Sequence, residues 1–356
     1  MKKCDRERVL YFERIVWKRE KRKIKRKKSI EKTKRYKLGY DKIIGTPVVF
    51  SLLSDKRRVK FLRFSERLRA VLSLKNSSIL IDFSSTTSMY SDATLIFRAH
   101  LCRLVNNCSN NKIRIKLSRS NKINQVLKQI GALDLLGQKP NIPTDHPDVV
   151  NWRYAQGASV VGEKYEEILG PYDGAITEKL SEGLYLGLTE AMTNTKHHAY
   201  PNTEEALHCN VESNEWWMFS QEKDGRLDVC FCDLGIGIPE SLPEKKPGLW
   251  QSIMSKLGET ITDGNIIEEA IQYSLSRTGH EYRGKGLKQL TSVLTNTEGG
   301  HLILHSNRGC YFHENGKTQI YNYSDSVGGT LISWSLPIAS EGHTNEYTIT
   351  KNFRRI

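Results

Sequence analysis

The 356-residue sequence has no long apolar run, no cysteine pair of the CxxC kind and no secretory leader pattern. No stretch approaches the roughly 18 consecutive apolar residues that indicate a membrane-spanning helix. The first residues are basic but lack the apolar segment and the small-residue cleavage site of a signal peptide. We therefore expect a cytoplasmic protein without a membrane span.

Cysteine is sparse, with seven residues in the chain. Their spacing fits neither a disulfide framework nor a zinc site. Cys230 and Cys232 lie two residues apart in an apolar run. Because side chains alternate along a strand, this spacing predicts that both thiols point to the same face. We expect reduced, buried cysteines of the kind found in cytosolic proteins.

Acidic residues are scarce at one end of the chain. Residues 1–42 hold 19 Lys and Arg against 6 Asp and Glu, which accounts for +13 of the formal net charge of +14. Within this range the block KRKIKRKK repels itself, and such blocks bind polyanions or stay solvated. We interpret residues 1–44 as a basic, partly helical arm. Both alternatives stay open, and among polyanions nucleic acid is favoured, although no base-reading motif supports it.

Strands and helices alternate between residues 45 and 137. Apolar runs such as SILIDF and IRIKL are typical of strands, and SDATLIFRAHLCRLV has helical periodicity. This alternation predicts an α/β layer architecture. No glycine-rich phosphate loop follows any of these strands, so we expect a binding module. The proline-rich stretch QKPNIPTDHPDVV then predicts a linker over residues 138–165.

Two local patterns in this domain resemble the STAS domain, the fold of anti-sigma factor antagonists. ILIDFSSTTSMYSDATLIF matches the strand, short loop and capped helix of that family, and LKQIGALDLLG is similar to its last helix. Depending on the register, the phosphorylatable serine of the family falls on Ala93 or on Ser91. The resemblance therefore implies Ser91 or Thr94 as a phosphoacceptor, against the alternative that Ser91 or Asp92 simply caps the helix.

A polar stripe lies along a long predicted helix over residues 173–200. Its buried face is marked by Leu180, Leu184 and other apolar residues at intervals of four. Glu190, Asn194 and His198 follow one another at the same interval of four and belong to a different face. Such a stripe either faces water or lines a site.

Glycines cluster after two further segments of the chain. A β-rich run ends at Asp233, and Gly235 and Gly237 follow it, which allows the backbone to approach a ligand closely. Gly284 and Gly286 precede a predicted helix, whose free N–H groups favour phosphate binding. A last strand, entered through a double glycine and Thr330, closes the series.

The order of these pieces resembles the GHKL ATPase superfamily, which includes gyrase, the heat-shock chaperone, histidine kinases and mismatch-repair ATPases. EAMTN matches the N box, DLGIGIP the first glycine box, GKGL the second and GGT the last. The N box is most similar to that of the anti-sigma factor serine kinases. The resemblance implies a two-layer α/β sandwich over residues 166–340, with residues 341–356 as a C-terminal tail.

The resemblance also implies a role for each matching residue. Asn194 would coordinate Mg²⁺, and Glu190 would act as general base. His198 would approach a phosphate, with a neutral structural role as the alternative. Asp233 would bind the adenine amino group, next to the two glycines and Thr330. The phosphates would be covered by Gly284, Lys285 and Gly286, with Leu287 beside them, and residues 240–283 would form a lid over the ATP.

We therefore expect a regulatory protein that uses ATP and Mg²⁺, either hydrolysing ATP or transferring its phosphoryl group to Ser or Thr. None of the ten histidines stands in an acceptor motif, so a histidine kinase is not expected. The presence of a STAS-like and a GHKL-like domain in one chain suggests that the two domains dock in a nucleotide-dependent way. The alternative is a non-catalytic, ATP-gated adaptor whose basic arm recruits nucleic acid or an acidic partner. A homodimer is among the expected assemblies.

Overall fold

A computed structural model describes residues 39–74, 76–107, 110–150, 152–170, 176–200, 214–276, 286–294 and 297–338. This part of the chain is mixed α/β, with one parallel three-stranded sheet, one parallel two-stranded ladder and one antiparallel seven-stranded sheet. The predicted α/β class is therefore confirmed. Most of the predicted arm, the C-terminal tail, Gly284 and Lys285 lie outside the described residues.

The N-terminal layer is built on a parallel sheet of strand order β1-β3-β5. Its strands are β1 (Lys42–Gly45), β3 (Ser78–Asp82) and β5 (Lys112–Lys116). A second ladder pairs the two-residue strands β2 (Val49–Phe50) and β4 (Ser88–Met89). Strand β1 begins inside the range predicted as an arm. The prediction ended the arm too late because the apolar Ile43 and Ile44 directly follow a strongly basic segment.

Helices cover this sheet. The two long ones are α1 (Asp55–Arg69) and α2 (Ser91–Asn107). The sequence predicts one helix over residues 121–137, but the structure has α3 (Asn121–Gln129) and the short α4 (Ala132–Leu135). Gly131 separates them with φ +66°, a left-handed conformation that ends a helix. The short α5 (Pro147–Val150) follows.

The core of the N-terminal layer is rich in phenylalanine. The Phe50 ring lies 5.4 to 5.7 Å, centroid to centroid, from the rings of Phe61, Phe64, Phe83 and Phe97. All five side chains are fully buried. These residues come from two strand segments and both long helices, so the cluster holds the elements of the layer together.

The C-terminal layer is an antiparallel sheet of strand order β11-β10-β9-β12-β8-β7-β6. Strands β7 (Trp216–Lys223) and β8 (Arg226–Asp233) form a hairpin. The remaining strands are β6 (Arg153–Gly157), β9 (His301–Ser306), β10 (Gly309–Glu314), β11 (Lys317–Asn322) and β12 (Thr330–Pro337).

The segment predicted as a linker contributes to this sheet. Strand β6 lies inside residues 138–165 and forms an edge of the sheet, paired with β7 from Arg153↔Ser220 to Gly157↔Trp216. Three prolines precede it in residues 139–147. The predicted linker range thus contains the helix α5 and the strand β6 as well as an irregular segment.

The helices of the C-terminal layer include α6 (Glu163–Leu169) and α7 (Glu178–Asn194), which continues as a π turn over Thr195–Ala199. After β8 come α8 (Ile238–Lys245), α9 (Pro247–Leu257), a 3₁₀ turn at Gly258–Thr260, α10 (Asp263–Ser276) and α11 (Gly286–Ser292). Apolar side chains of α6, α7, α10 and α11 share a core with one face of the sheet.

The opposite face of the sheet packs against the N-terminal layer. Cys230 and Cys232 of β8 and Trp217 and Phe219 of β7 belong to the same buried cluster as the phenylalanine core. The predicted common face of the two cysteines is thus confirmed, and the four described cysteines are buried and free. The two layers share one continuous core through this face of the sheet.

No helix among the described residues is long and apolar enough to cross a lipid bilayer. The longest described helices, α2 and α7, each have 17 residues and carry charged side chains.

We predict that Phe50→Ala lowers the free energy of unfolding by about 3 to 5 kcal/mol, the usual cost of removing a buried aromatic ring. Chemical denaturation followed by tryptophan fluorescence measures the change. Val48→Ala is the matched control, because this side chain is 52% exposed and two residues away. We expect it to change the stability by less than about 0.5 kcal/mol. Equal effects of both substitutions would contradict the role of the phenylalanine cluster.

Candidate functional site

Asp233 ends strand β8, where its carboxylate is buried. Its Oδ1 atom accepts hydrogen bonds from the backbone N–H of Gly235 at 2.9 Å and of Thr330 at 3.3 Å. Burial raises the pKa of this carboxyl to about 6, although those hydrogen bonds favour the charged form. A carboxylate has about four lone-pair positions, so this one keeps acceptor capacity for a ligand amine.

The glycines after Asp233 allow a close approach of two backbone segments. A Cβ on Gly235 would lie 2.3 Å from the carbonyl oxygen of Ala199. Gly237 has φ +81° and ψ 164°, and a Cβ there would lie 2.5 Å from Oδ1 of Asn307. The Ile236 N–H donates to the Ala199 carbonyl at 2.9 Å. The loop is therefore held directly against the end of the π turn.

Helix α7 presents the predicted polar stripe to this loop. The Thr177 hydroxyl caps the helix by accepting from the Leu180 N–H, and the stripe of Leu184, Leu188 and Met192 is buried. Nδ2 of Asn194 donates to Oε1 of Glu190 at 2.7 Å. This bond orients the amide and leaves the oxygen of Asn194 as an acceptor.

The π turn changes the position of His198. The interval of four predicts that Glu190, Asn194 and His198 share one face of an α-helix, but the α-helix ends at Asn194. A π turn rotates less about the axis per residue, which keeps His198 closer to the line of the other two side chains. Single π turns are rare and occur frequently at functional sites.

His198 is uncharged at neutral pH. Burial, followed by the charge of Lys246, lowers its pKa to about 4. Its Nδ1 atom is buried and has no hydrogen-bond partner among the described residues. Burial also raises the pKa of Glu190, against the effects of Asn194 and Lys246. A carboxyl with a raised pKa next to an oriented amide is suited to accept a proton.

A cavity of about 60 Å³ brings most of the predicted residues together, between the sheet, the π turn, α8 and α11. The predicted residues that line it are Asn194, His198, Asp233, Gly237, Leu287 and Thr330. Glu190 contacts this group through Asn194, and Gly235 through Asp233. Gly286 is the first residue of α11.

Several cavity residues were not expected from the sequence. Ser241, Lys245 and Lys246 line it from α8 and its C-terminal end. The pair Lys245 and Lys246 follows Gly235 and Gly237 closely in the sequence, and this local positive charge was the available signal. Ser306 and Asn307 support the loop, because Ile238 N–H donates to Oγ of Ser306 and Asn307 Nδ2 donates to the Ile236 carbonyl. Nothing in the sequence marks these two residues.

Ser91 and Thr94 lie on the other side of the sheet. Ser91 contacts the thiol of Cys230 and lines a separate cavity of about 420 Å³ between the two layers. Thr94 is fully buried in α2. Cys230 and Asp233 point to opposite faces of β8, so the sheet separates both candidate phosphoacceptors from the Asp233 cavity. In this conformation neither hydroxyl can reach a group bound there.

Asn194 supplies an oxygen of the kind that can bind Mg²⁺. Oxygen is the ligand that Mg²⁺ prefers, and this ion usually keeps waters and substrate phosphates around one or two protein oxygens. The acceptor oxygen of Asn194 meets that need. No group of three His, Cys, Asp or Glu side chains in the described ranges is arranged to hold a metal ion by itself.

We predict that Gly237→Ala destabilises the protein by about 1 to 3 kcal/mol, since its backbone conformation is nearly exclusive to glycine. The same change should disturb the cavity, which thermal unfolding and ligand titration would show. Gly248→Ala is the control, because a Cβ on that glycine of α9 meets nothing within 4 Å. A harmless Gly237→Ala would contradict the close packing described above.

No protein-family model matches this chain, and no curated protein matches its sequence. The geometry of the site therefore supplies the argument for a function.

Proposed function

We propose that the chain is a GHKL-type, Mg²⁺-dependent ATP-binding protein with a STAS-like N-terminal domain. The observation that carries the proposal is the buried Asp233 carboxylate, fixed by two backbone N–H groups at the rim of a cavity that Asn194, His198 and Thr330 also line. An antiparallel sheet with this cavity between it and helices on one face is the arrangement that the resemblance implies.

Each part of the proposed site has a distinct task. Asp233 accepts a hydrogen bond from the exocyclic amine of adenine, and Phe231 and Ile332 supply apolar surface beside it. Lys245 and Lys246 provide positive charge for phosphates. Mg²⁺, when bound, neutralises phosphate charge, and the oxygen of Asn194 is the protein group available to it. Glu190 orients a water or an acceptor hydroxyl and takes its proton.

The position of the N-terminal domain favours ATP hydrolysis, or phosphoryl transfer to another chain, over transfer to Ser91 or Thr94 of the same chain. Both hydroxyls are separated from the proposed site by the sheet. The domain is docked on that sheet through a shared core. We therefore propose that nucleotide state is communicated to the docked N-terminal domain and that this communication has a regulatory role.

We predict that the protein binds a nonhydrolysable ATP analogue with Mg²⁺ in calorimetry, and that Asp233→Asn weakens this binding tenfold to a hundredfold, at the scale of a lost charged hydrogen bond (about 1.5 to 3 kcal/mol). Asp224→Asn is the matched control, because that carboxylate is 54% exposed in the β7–β8 turn. Absence of binding by the folded wild type would contradict the proposal.

We predict that Glu190→Gln reduces ATP turnover by about a hundredfold or more while nucleotide affinity changes less than about threefold, as expected for loss of a general base. Radiolabelled ATP, followed as free phosphate and as phosphoprotein, measures turnover. Glu182→Gln, an exposed site on the same helix, is the control. Binding without turnover in the wild type would instead leave the ATP-gated adaptor as the function.

We predict that nucleotide affinity rises as the pH increases from 5 to 7. The ionised Asp233 carboxylate accepts the adenine hydrogen bond, and its pKa of about 6 places the change in this window. Below pH 6 affinity should fall about tenfold per pH unit, because protonation competes with binding. Asp233→Asn lacks this carboxyl, so its pH profile reports the titration of the nucleotide itself and serves as the reference. Parallel pH profiles for the two proteins would exclude Asp233 as the titrating group.

A further inference from the structure

A closed ring of contacts joins the N-terminal layer to the loop that follows Asp233. Nη1 of Arg103, on helix α2, donates to the Leu234 carbonyl at 3.1 Å. The Leu234 N–H donates to the Tyr200 hydroxyl at 3.0 Å, and that hydroxyl donates to the Glu215 carbonyl at 2.8 Å. The Glu215 carboxylate closes the ring by accepting from Nε of Arg103 at 3.4 Å.

Arg103 has little freedom in this position. Its guanidinium lies 5.2 Å from the ring centroid of Tyr200 and 5.7 Å from that of Trp217, so aromatic faces contribute to holding the charge. Its side chain is only 16% exposed, and that of Glu215 is 14% exposed. Nε and Nη1 are hydrogen-bonded, and Nη2 is buried without a hydrogen-bond partner among the described residues. The two bonds and the enclosure together hold the guanidinium in one orientation.

The two ends of one peptide unit connect Arg103 to Asp233. The peptide between Leu234 and Gly235 offers its carbonyl oxygen to Arg103, and its N–H donates to Oδ1 of Asp233. Because a peptide unit is planar and rigid, fixing the oxygen also fixes the direction of the N–H. A cation on the carbonyl further polarises the N–H that binds the carboxylate.

We propose that Arg103 is a positioning residue, supplied by the N-terminal domain, that orients the base-binding carboxylate of Asp233 and so makes nucleotide affinity depend on docking of that domain. The inference rests on the proposed nucleotide site. It adds a physical link between the two layers: movement of α2 away from the sheet removes Arg103 from the Leu234 carbonyl, and a bound nucleotide favours the docked arrangement by the same free energy.

The electrostatic environment of Asp233 agrees with this role. The charged or titratable groups near it are Arg103 from α2, Tyr200 after the π turn and Cys232 on the opposite face of β8, while His198, Lys245 and Lys246 line the same cavity. The positive charge of Arg103 lowers the pKa of Asp233 against the larger effect of burial. Loss of Arg103 should therefore move the pH midpoint of nucleotide binding upwards.

The experiment compares four proteins by titration with a fluorescent, Mg²⁺-bound ATP analogue between pH 5 and 8. We expect Arg103→Met to weaken binding about tenfold at pH 7, the order of one lost charge-assisted hydrogen bond, and to raise the pH midpoint. Arg103→Lys keeps the charge without the fork and should restore the midpoint with part of the affinity.

Arg58→Met is the matched control for the interface. Arg58 lies on α1 and is also buried between the layers. It contacts Nδ1 of His305 at 3.3 Å and the Asp325 carbonyl at 3.2 Å, and neither of these partners belongs to the Leu234 loop. We expect it to lower thermal stability but to change nucleotide affinity less than about twofold. Arg103→Met with wild-type affinity and an unchanged midpoint would overturn the proposal, as would equal affinity losses in Arg103→Met and Arg58→Met.

A measurement without nucleotide separates this inference from the proposed function. Hydrogen–deuterium exchange of the peptide around residues 232–238 should be faster in Arg103→Met than in wild type and in Arg58→Met. If the wild type binds no nucleotide, the proposed function fails, and the exchange rates still decide whether Arg103 holds the loop. If Arg103→Met does not fold, Arg103→Lys supplies both readouts, and wild-type exchange and affinity in that variant would contradict the need for the fork.

Discussion

The arrangement of the C-terminal layer depends on holding the buried carboxylate of Asp233 in place. Two backbone N–H groups, from the loop after β8 and from the start of β12, bind its Oδ1 atom. Desolvation opposes the charge of a buried carboxylate, so these donors have to be held in place by the rest of the fold. The π turn and α2 both contact the glycine loop after β8 directly, which explains why elements distant in sequence meet there.

The seven-stranded sheet works as a partition with two different faces. One face carries Phe231 and Asp233 towards the helices and the proposed nucleotide site, and the other carries Cys230 and Cys232 into the core of the N-terminal layer. Ser91 contacts Cys230, and the cavity is lined by the next residue of the strand, Phe231. Because side chains alternate along β8, these neighbours point to opposite faces, and the sheet separates Ser91 from the cavity. Communication between the layers has to pass around the strand ends, where Arg103 lies.

Sequence patterns predicted the elements that carry periodic apolar residues. The apolar run of β8 indicated a strand that ends at Asp233, as observed. The leucine stripe indicated a helix over residues 173–200, a longer range than the observed Glu178–Asn194. Local patterns could not reveal β6, because an edge strand beside prolines has a weak signal, nor the π turn, which depends on the contact between Ala199 and Gly235. Asn307 came to the loop beside the cavity through the fold, since it stands in no recognisable motif.

By itself the sequence determined the α/β class, the alternating faces of β8, the spacing of Glu190 and Asn194, and the glycines that permit a tight loop after Asp233. These features depend on interactions between residues close in the chain, and a linear pattern records them. The tertiary structure alone decided that the N-terminal domain covers the face of the sheet opposite the cavity, and that Arg103 reaches the Leu234 carbonyl. Those contacts join residues more than a hundred positions apart, and their geometry follows from the packing of whole layers.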